Sequence, residues 1–293
     1  MNNSLQLRRT YDELCLTGRT PPALNARTFH LPNLTYTHPH DGERSVLIEK
    51  ESLRSVGCIH ARPDVRLALG EKGIHAAPLE DAVALIERRF QQDDLIWGVS
   101  GFASAGFNYT TEAKALSELY GYLVGTERAP SLSVDGGVSD GNLGLNAVIA
   151  AMHGVQTLGC IPLQGLKCAS QRSFMIAWGD TYKDREILVG TIPDVLVCVG
   201  GLDGTRRECE TALRNGSVVL LLALKDYSPD SLPKTYTQFD TMRTALKDDR
   251  LFVCTAASEL NTTLDLVWAK AQEPSHFQRP ARLKKLTHLL LGS

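Results

Sequence analysis

The chain has 293 residues, 43% of them hydrophobic, and a formal net charge of −2 at pH 7, which suits one large core plus a small addition. A near-neutral balance with no basic stripe argues against a nucleic-acid ligand, and no apolar run is long enough for a membrane span. The polar opening Met1-Asn2-Asn3-Ser4 does not read as a signal peptide, and seven cysteines, several inside apolar strands (Cys160, Cys198, Cys254), read as reduced core residues of a cytoplasmic protein.

Residues 1–90 read as an N-terminal extension of uncertain fold, with Pro21-Pro22, Pro32, Pro39, an Asp41-Gly42 turn and strand-like pieces such as Ser45-Val46-Leu47-Ile48. A small α+β module, a substrate lid and a dimer-forming arm are all compatible with it. His38, His40, Cys58 and His60 offer zinc-type side chains, but their spacing fits no common finger and His38-Pro39-His40 reads more simply as a loop, so no metal is expected. Pro78 to Phe90 reads as a helix with Ala82, Leu85 and Ile86 on its apolar face.

From residue 91 to 275 the pattern becomes regular. Leu95 to Val99 is a strand, followed by the glycine-containing turn Ser100-Gly101-Phe102-Ala103-Ser104-Ala105-Gly106 and a helix carrying Ala113, Leu116, Leu119, Tyr120 and Leu123. Ser131 to Val134 is a second strand, followed by Asp135-Gly136-Gly137-Val138-Ser139-Asp140-Gly141-Asn142 and a helix with Leu145, Val148, Ile149 and Met152 at helical spacing, closed by His153-Gly154. Gln156 to Ile161 is a strand stopped by Pro162. Val195 to Val199 is an apolar strand leading into Gly200-Gly201-Leu202-Asp203-Gly204-Thr205 and a helix with Cys209, Ala212 and Leu213 on one face. Ser217 to Leu224 and Arg250 to Cys254 are further strands, with helices expected at 234–247 and 258–272. Residues 276–293 form an amphipathic tail in which Leu283, Leu286 and Leu290 cover a core edge or a partner subunit.

Strands alternating with helices imply an α/β fold, a doubly wound parallel sheet of Rossmann-like type with helices on both faces. Ligands on such sheets sit beyond the carboxyl ends of the strands where the order reverses. Each glycine turn stands there by construction. Strand, glycine turn and helix together aim free backbone N–H groups and a positive helix end at an anion, which points to a phosphate. The same residues permit a plainer reading, because Thr205-Arg206-Arg207-Glu208 is also a capping-box pattern. Cys209 stands near a helix start, where a thiol pKa can fall, yet its place on the apolar stripe reads as core packing.

The order of these motifs over Leu95 to Ala271 resembles the LOG family, once labelled lysine decarboxylase-like, within the Rossmann-like SLOG superfamily that also holds molybdenum-cofactor carrier proteins. The family's Gly-Ser-Ser-type turn corresponds to Val99-Ser100-Gly101, and its Gly-Gly-Gly-x-x-Gly-x-Met-Gly turn to Asp135 through Gly144 without the methionine. Gly159-Cys160-Ile161-Pro162 matches a Gly-x-Ile-Pro strand end, and Val199 through Glu208 the hallmark Pro-Gly-Gly-x-Gly-Thr-x-x-Glu. Val199 replaces the proline there, and Leu202-Asp203 adds one residue, a form closer to the cofactor carriers than to the cytokinin-activating enzymes. Arg185-Glu186 stands where the family has Arg-Lys, with Asp194 at the family's spacing.

The resemblance implies cleavage of the N-glycosidic bond of a nucleoside 5′-monophosphate, as in cytokinin riboside 5′-monophosphate phosphoribohydrolases, by a homodimer that needs no metal and no cofactor. On that reading Ser100, Gly101, Gly136, Gly137, Gly141, Gly200, Gly201, Gly204 and Thr205 hold the phosphorylated ligand. Glu208 steadies the oxocarbenium charge or takes a proton from the attacking water, and Arg185 contacts phosphate or orients Glu208. Asp135 and Asp140 serve either ribose hydroxyls or the turn itself. The competing function is a carrier or sensor that binds a nucleotide-like ligand without turnover. Decarboxylation is poorly supported, since no lysine reads as a pyridoxal-phosphate anchor.

Overall fold

The computed structural model describes residues 28–31, 34–37, 46–48, 57–60, 79–92, 94–101, 109–138, 141–169, 172–222, 244, 247, 249–273 and 278–292. In chain order these form β1 (Thr28–Leu31), β2 (Leu34–Thr37), β3 (Val46–Ile48), β4 (Gly57–His60), α1 (Leu79–Gln91), β5 (Ile96–Gly101), α2 (Tyr109–Gly125), β6 (Leu132–Asp135), α3 (Gly141–Met152) and β7 (Thr157–Ile161). A 3-10 turn (Leu163–Cys168) follows, then β8 (Phe174–Ala177), α4 (Tyr182–Thr191), β9 (Val195–Val199), α5 (Asp203–Arg214), β10 (Val218–Leu222), β11 (Leu251–Cys254), α6 (Leu260–Ala271) and α7 (Arg279–Leu291). The helix expected at 234–247 lies almost wholly outside the described residues, as do His38, His40, Asp140 and the turn residues Phe102 to Gly106.

An 8-stranded sheet runs β11-β10-β9-β5-β6-β7-β8-β4. All its pairings are parallel. A separate 3-stranded antiparallel sheet holds β1, β2 and β3. The main sheet is doubly wound because alternate residues of each strand feed opposite cores. Leu196 and Cys198 of β9 meet α1, α4, α5 and α7, whereas Val195, Val197 and Val199 meet α2, α3 and α6. Strands buried on both faces have no polar alternation, which is why β9 and β10 appear in the sequence as unbroken apolar runs.

Two elements escape a reading by hydrophobic period. β8 (Phe174-Met175-Ile176-Ala177) is only 4 residues long, and α4 opens on the polar run Tyr182-Lys183-Asp184-Arg185. The usable signal for α4 is its start: Thr181 and Asp184 form a reciprocal capping box, and Asp184 Oδ2 accepts from the Thr181 backbone N–H at 2.8 Å.

The carboxy-terminal tail covers a core edge of its own chain. Leu286 and Leu290 of α7 are buried in the same core as α1 and α4, with Leu283 packed against it. Its first turn is tied to the amino end of β9 by a buried ion cluster. Asp194 accepts from Arg279 Nη2 at 2.9 Å, from Arg282 and from the Ile96 backbone N–H at 3.0 Å. Both guanidinium groups also lie over the Phe90 ring, 5.3 and 4.9 Å from its centroid. Removing one partner of such a cluster leaves an uncompensated buried charge. Asp194→Ala is therefore expected to lower unfolding free energy by about 3–5 kcal/mol, measured by urea denaturation; a loss below about 1 kcal/mol, the worth of an exposed pair, would show that α7 is not latched through Asp194.

Candidate functional site

The helices that leave β5 and β9, α2 and α5, go to opposite faces of the sheet, although the two strands are neighbours. This opens a crevice beyond their carboxyl ends. The parallel register places Ser100 beside Cys198 and Gly101 beside Val199, so the first and third glycine turns leave the sheet side by side. β6 pairs on the other side of β5 and brings the second turn alongside.

Glu208 is the centre of the arrangement. It stands on the buried face of α5 with Thr205, Cys209, Ala212 and Leu213, at a position where helical spacing would place an apolar residue. Only 4% of it is exposed. The fully buried Ser100 hydroxyl donates to Glu208 Oε2, and Arg185 Nη2 of α4 lies 3.5 Å from Oε1. Burial pushes the Glu208 carboxyl above the usual carboxylate range, while Arg185 and the Ser100 hydroxyl pull it back. Arg185 rests on the Tyr182 ring, 4.9 Å from its centroid, and its buried Nε has no partner among the described residues. A Cβ on Gly136 would stand 3.0 Å from Arg185 Nη1, so the bare glycine is what admits the guanidinium against the second turn.

The capping-box alternative is not formed. α5 begins after Leu202, which gives no side-chain cap, and Thr205 Oγ1 reaches across to the Gly101 carbonyl at 3.4 Å. The first backbone N–H groups of α5, at Asp203, Gly204 and Thr205, have no partner within the helix. Gly200 and Gly201 bring the chain to that point with φ of 66 and 115°, and at Gly201 a Cβ would strike the Thr205 side chain. Gly204 lies beside Glu186, which is paired with Arg207 at 2.8 Å. Glu186 therefore fastens α4 to α5.

The second turn is held from below. Asp135 accepts from the Gly137 N–H at 2.7 Å, from Asn146 Nδ2 at 2.9 Å and from the buried Arg172 Nε at 3.0 Å. Arg172 Nη2 also donates to the carbonyls of Val138 (2.9 Å) and Leu143 (2.8 Å). Of the two roles open to Asp135, the turn claims it. Gly137 packs against Cys160 and Met175, and Gly141 starts α3 with φ of 61°.

Asn142 carried no distinguishing mark in the sequence. Fully buried, it stands against Gly101 and donates its amide to the Val199 carbonyl, so one side chain links all three turns; its Oδ1 has no partner among the described residues. Its signal was its place directly after Gly141, readable only once the three turns are known to converge. Among the described residues no group of three His, Cys, Asp or Glu side chains is placed to hold a metal, and Cys58 and His60 lie on β4. No helix of the described residues is long and apolar enough to cross a membrane.

No family model and no curated protein matches the sequence. Solved structures similar to the fold include the molybdenum cofactor carrier protein of Chlamydomonas reinhardtii, at 22% identity over 60% of this chain and 99% of that one, with a TM-score of 0.45. The molybdenum cofactor binding protein of the phototrophic bacterium Rippkaea orientalis is similar at 20% identity over 60% and 96%, with a TM-score of 0.45.

Because φ at Gly201 is closed to side chains, Gly201→Ala is expected to cost about 1–3 kcal/mol of stability. Urea unfolding measures it; a cost indistinguishable from zero would mean that the third turn is free to rearrange.

Proposed function

We propose that this protein binds a nucleoside 5′-monophosphate at the β5–β9 crevice and hydrolyses its N-glycosidic bond, releasing the base and ribose 5-phosphate. The observation that carries this reading is a buried glutamate, Glu208, set between a hydroxyl and a guanidinium at the uncapped start of α5. The 5′-phosphate accepts hydrogen bonds from the amides of Gly204 and Thr205 and from the Thr205 hydroxyl, which turns to it from the Gly101 carbonyl, in the positive field of the helix start. Gly101, Gly136, Gly137, Gly141, Gly200 and Gly201 shape the cradle around it. As the bond from C1′ to the base nitrogen breaks, Glu208 steadies the oxocarbenium charge, and the base leaves as an anion that recovers, by way of Glu208, the proton released by the attacking water. Glu208 then accepts a proton from the water that attacks C1′. Arg185 balances the carboxylate and reaches the phosphate. The active species is a cytoplasmic homodimer, in keeping with the resemblance and with the free buried Cys160, Cys198, Cys209 and Cys254; light scattering gives its mass.

A second reading, a carrier that holds a nucleotide-like cofactor without turnover, draws on the lengthened third turn, whose Leu202 is 63% exposed at the lip. Incubation with a panel of nucleoside 5′-monophosphates, followed by chromatography of free base, separates the two. Glu208→Gln is expected to lower base release at least about 100-fold while binding persists. Binding without release by the unaltered protein selects the carrier.

The same variant has a stability signature. A carboxyl whose folded pKa is raised binds its proton more tightly in the native chain than in the unfolded one, so stability rises as pH falls from the raised value toward the ordinary one. Above that window the ionised Glu208 weighs against folding. Glu208→Gln is therefore expected to raise Tm at neutral pH and to narrow the gap as pH is lowered. Calorimetry across pH checks both; a variant less stable than wild type at neutral pH contradicts the electrostatic account.

A further inference from the structure

Glu208 has partners on two sides, and they differ in kind. Arg185 comes from α4, has no partner for its Nε among the described residues, and stands against the second glycine turn. Ser100 comes from β5, is wholly buried, and gives its hydroxyl to Glu208 Oε2. A side chain so enclosed has nothing to offer a phosphate, while a serine inside an apolar strand needs a partner, because an unsatisfied buried hydroxyl is costly.

We infer that Ser100 is a positioning residue for Glu208: its hydroxyl anchors Oε2 against β5 and so presents Oε1, the oxygen beside Arg185, to the ligand. The inference rests on the reading of Glu208 as the acid–base group of the site and gives Ser100 no contact with phosphate. A glutamate side chain has several rotatable bonds, and one fixed oxygen removes most of that freedom at the reacting end. The bond also favours the ionised carboxylate, in the same direction as Arg185 and against the effect of burial. The other charged or titratable groups around Glu208 are Glu186 of α4 and Arg207 of its own helix, which are paired with each other, and the thiols of Cys198 and Cys160, both pushed far up by burial. None of them can substitute for Ser100 as a donor to Oε2 without a shift of strand or helix.

The test is a titration that needs no substrate. The full chain is grown with carbon-13-labelled glutamate and followed by NMR, the Glu208 signal being assigned by its loss in Glu208→Gln. Ser100→Ala is expected to raise the Glu208 midpoint by about one pH unit, a tenfold change in its protonation equilibrium. With a cleavable nucleoside monophosphate it lowers kcat about tenfold, leaves KM within about twofold, and moves the acid limb of the pH–rate profile up by the same unit. Ser100→Cys keeps the side-chain volume and weakens the donor, so it shifts the midpoint in the same direction by less; it decides the matter if the alanine variant does not fold. An unchanged midpoint in either folded variant overturns the inference. A shifted midpoint in a protein that cleaves no nucleotide upholds the role of Ser100 and removes the hydrolase reading instead.

Discussion

Parallel pairing of β5 with β9 is the constraint from which the site follows. The register sets Ser100 beside Cys198 and Gly101 beside Val199, and the helices that continue the two strands depart to opposite faces. Two chain segments about a hundred residues apart thereby end at one crevice. α5 must start almost at once after β9, and Gly200 and Gly201 make that possible by taking backbone angles closed to other residues. Glu208, one turn into α5, is then carried inward over Ser100, with only 4% of it left exposed.

Buried charge is used twice to hold this frame, once at each end. At the amino end of β9, Asp194 gathers Arg279 and Arg282 and so makes α7 part of the core. At the carboxyl end of β6, Asp135 and Arg172 lock the second turn. Both clusters also hold backbone carbonyls: Arg172 serves two, Arg279 those of Phe90 and Asp94, and Arg282 that of Pro193, although Arg282 Nε has no partner among the described residues. Glu208 is different. Among the described residues it has one hydroxyl and one guanidinium at 3.5 Å, fewer partners than a carboxylate accepts, and burial raises its pKa. A scaffold that satisfies its structural charges and leaves one carboxylate under-satisfied at a crevice is organised around that group.

The hydrophobic period located most of the strands and helices near the site to within a few residues, because strands buried on both faces and helices with one apolar stripe leave strong local patterns. The failures had local causes as well. β8 is too short to show a period, and α4 begins with charged residues whose burial depends on α5. The glycine turns were legible because Gly137, Gly141, Gly200 and Gly201 take positive φ, which favours glycine. The surroundings of Thr205 were not: Thr-x-x-Glu fits a capping box, and only the folded chain shows that the helix starts after Leu202 and that the Thr205 hydroxyl faces the Gly101 carbonyl.

By itself, then, the sequence determined the layered α/β architecture, the glycine turns and the presence of a glutamate on an otherwise apolar helix face, since each is a matter of neighbours along the chain. Tertiary structure alone decided that Ser100 and Arg185 are the partners of Glu208, that Asn142 ties the three turns together, that Asp135 belongs to Arg172, and that α7 closes its own core through Asp194. Those pairings join residues from 23 to 108 positions apart. Their energies come from burial and charge, which no local pattern encodes until the sheet order is known.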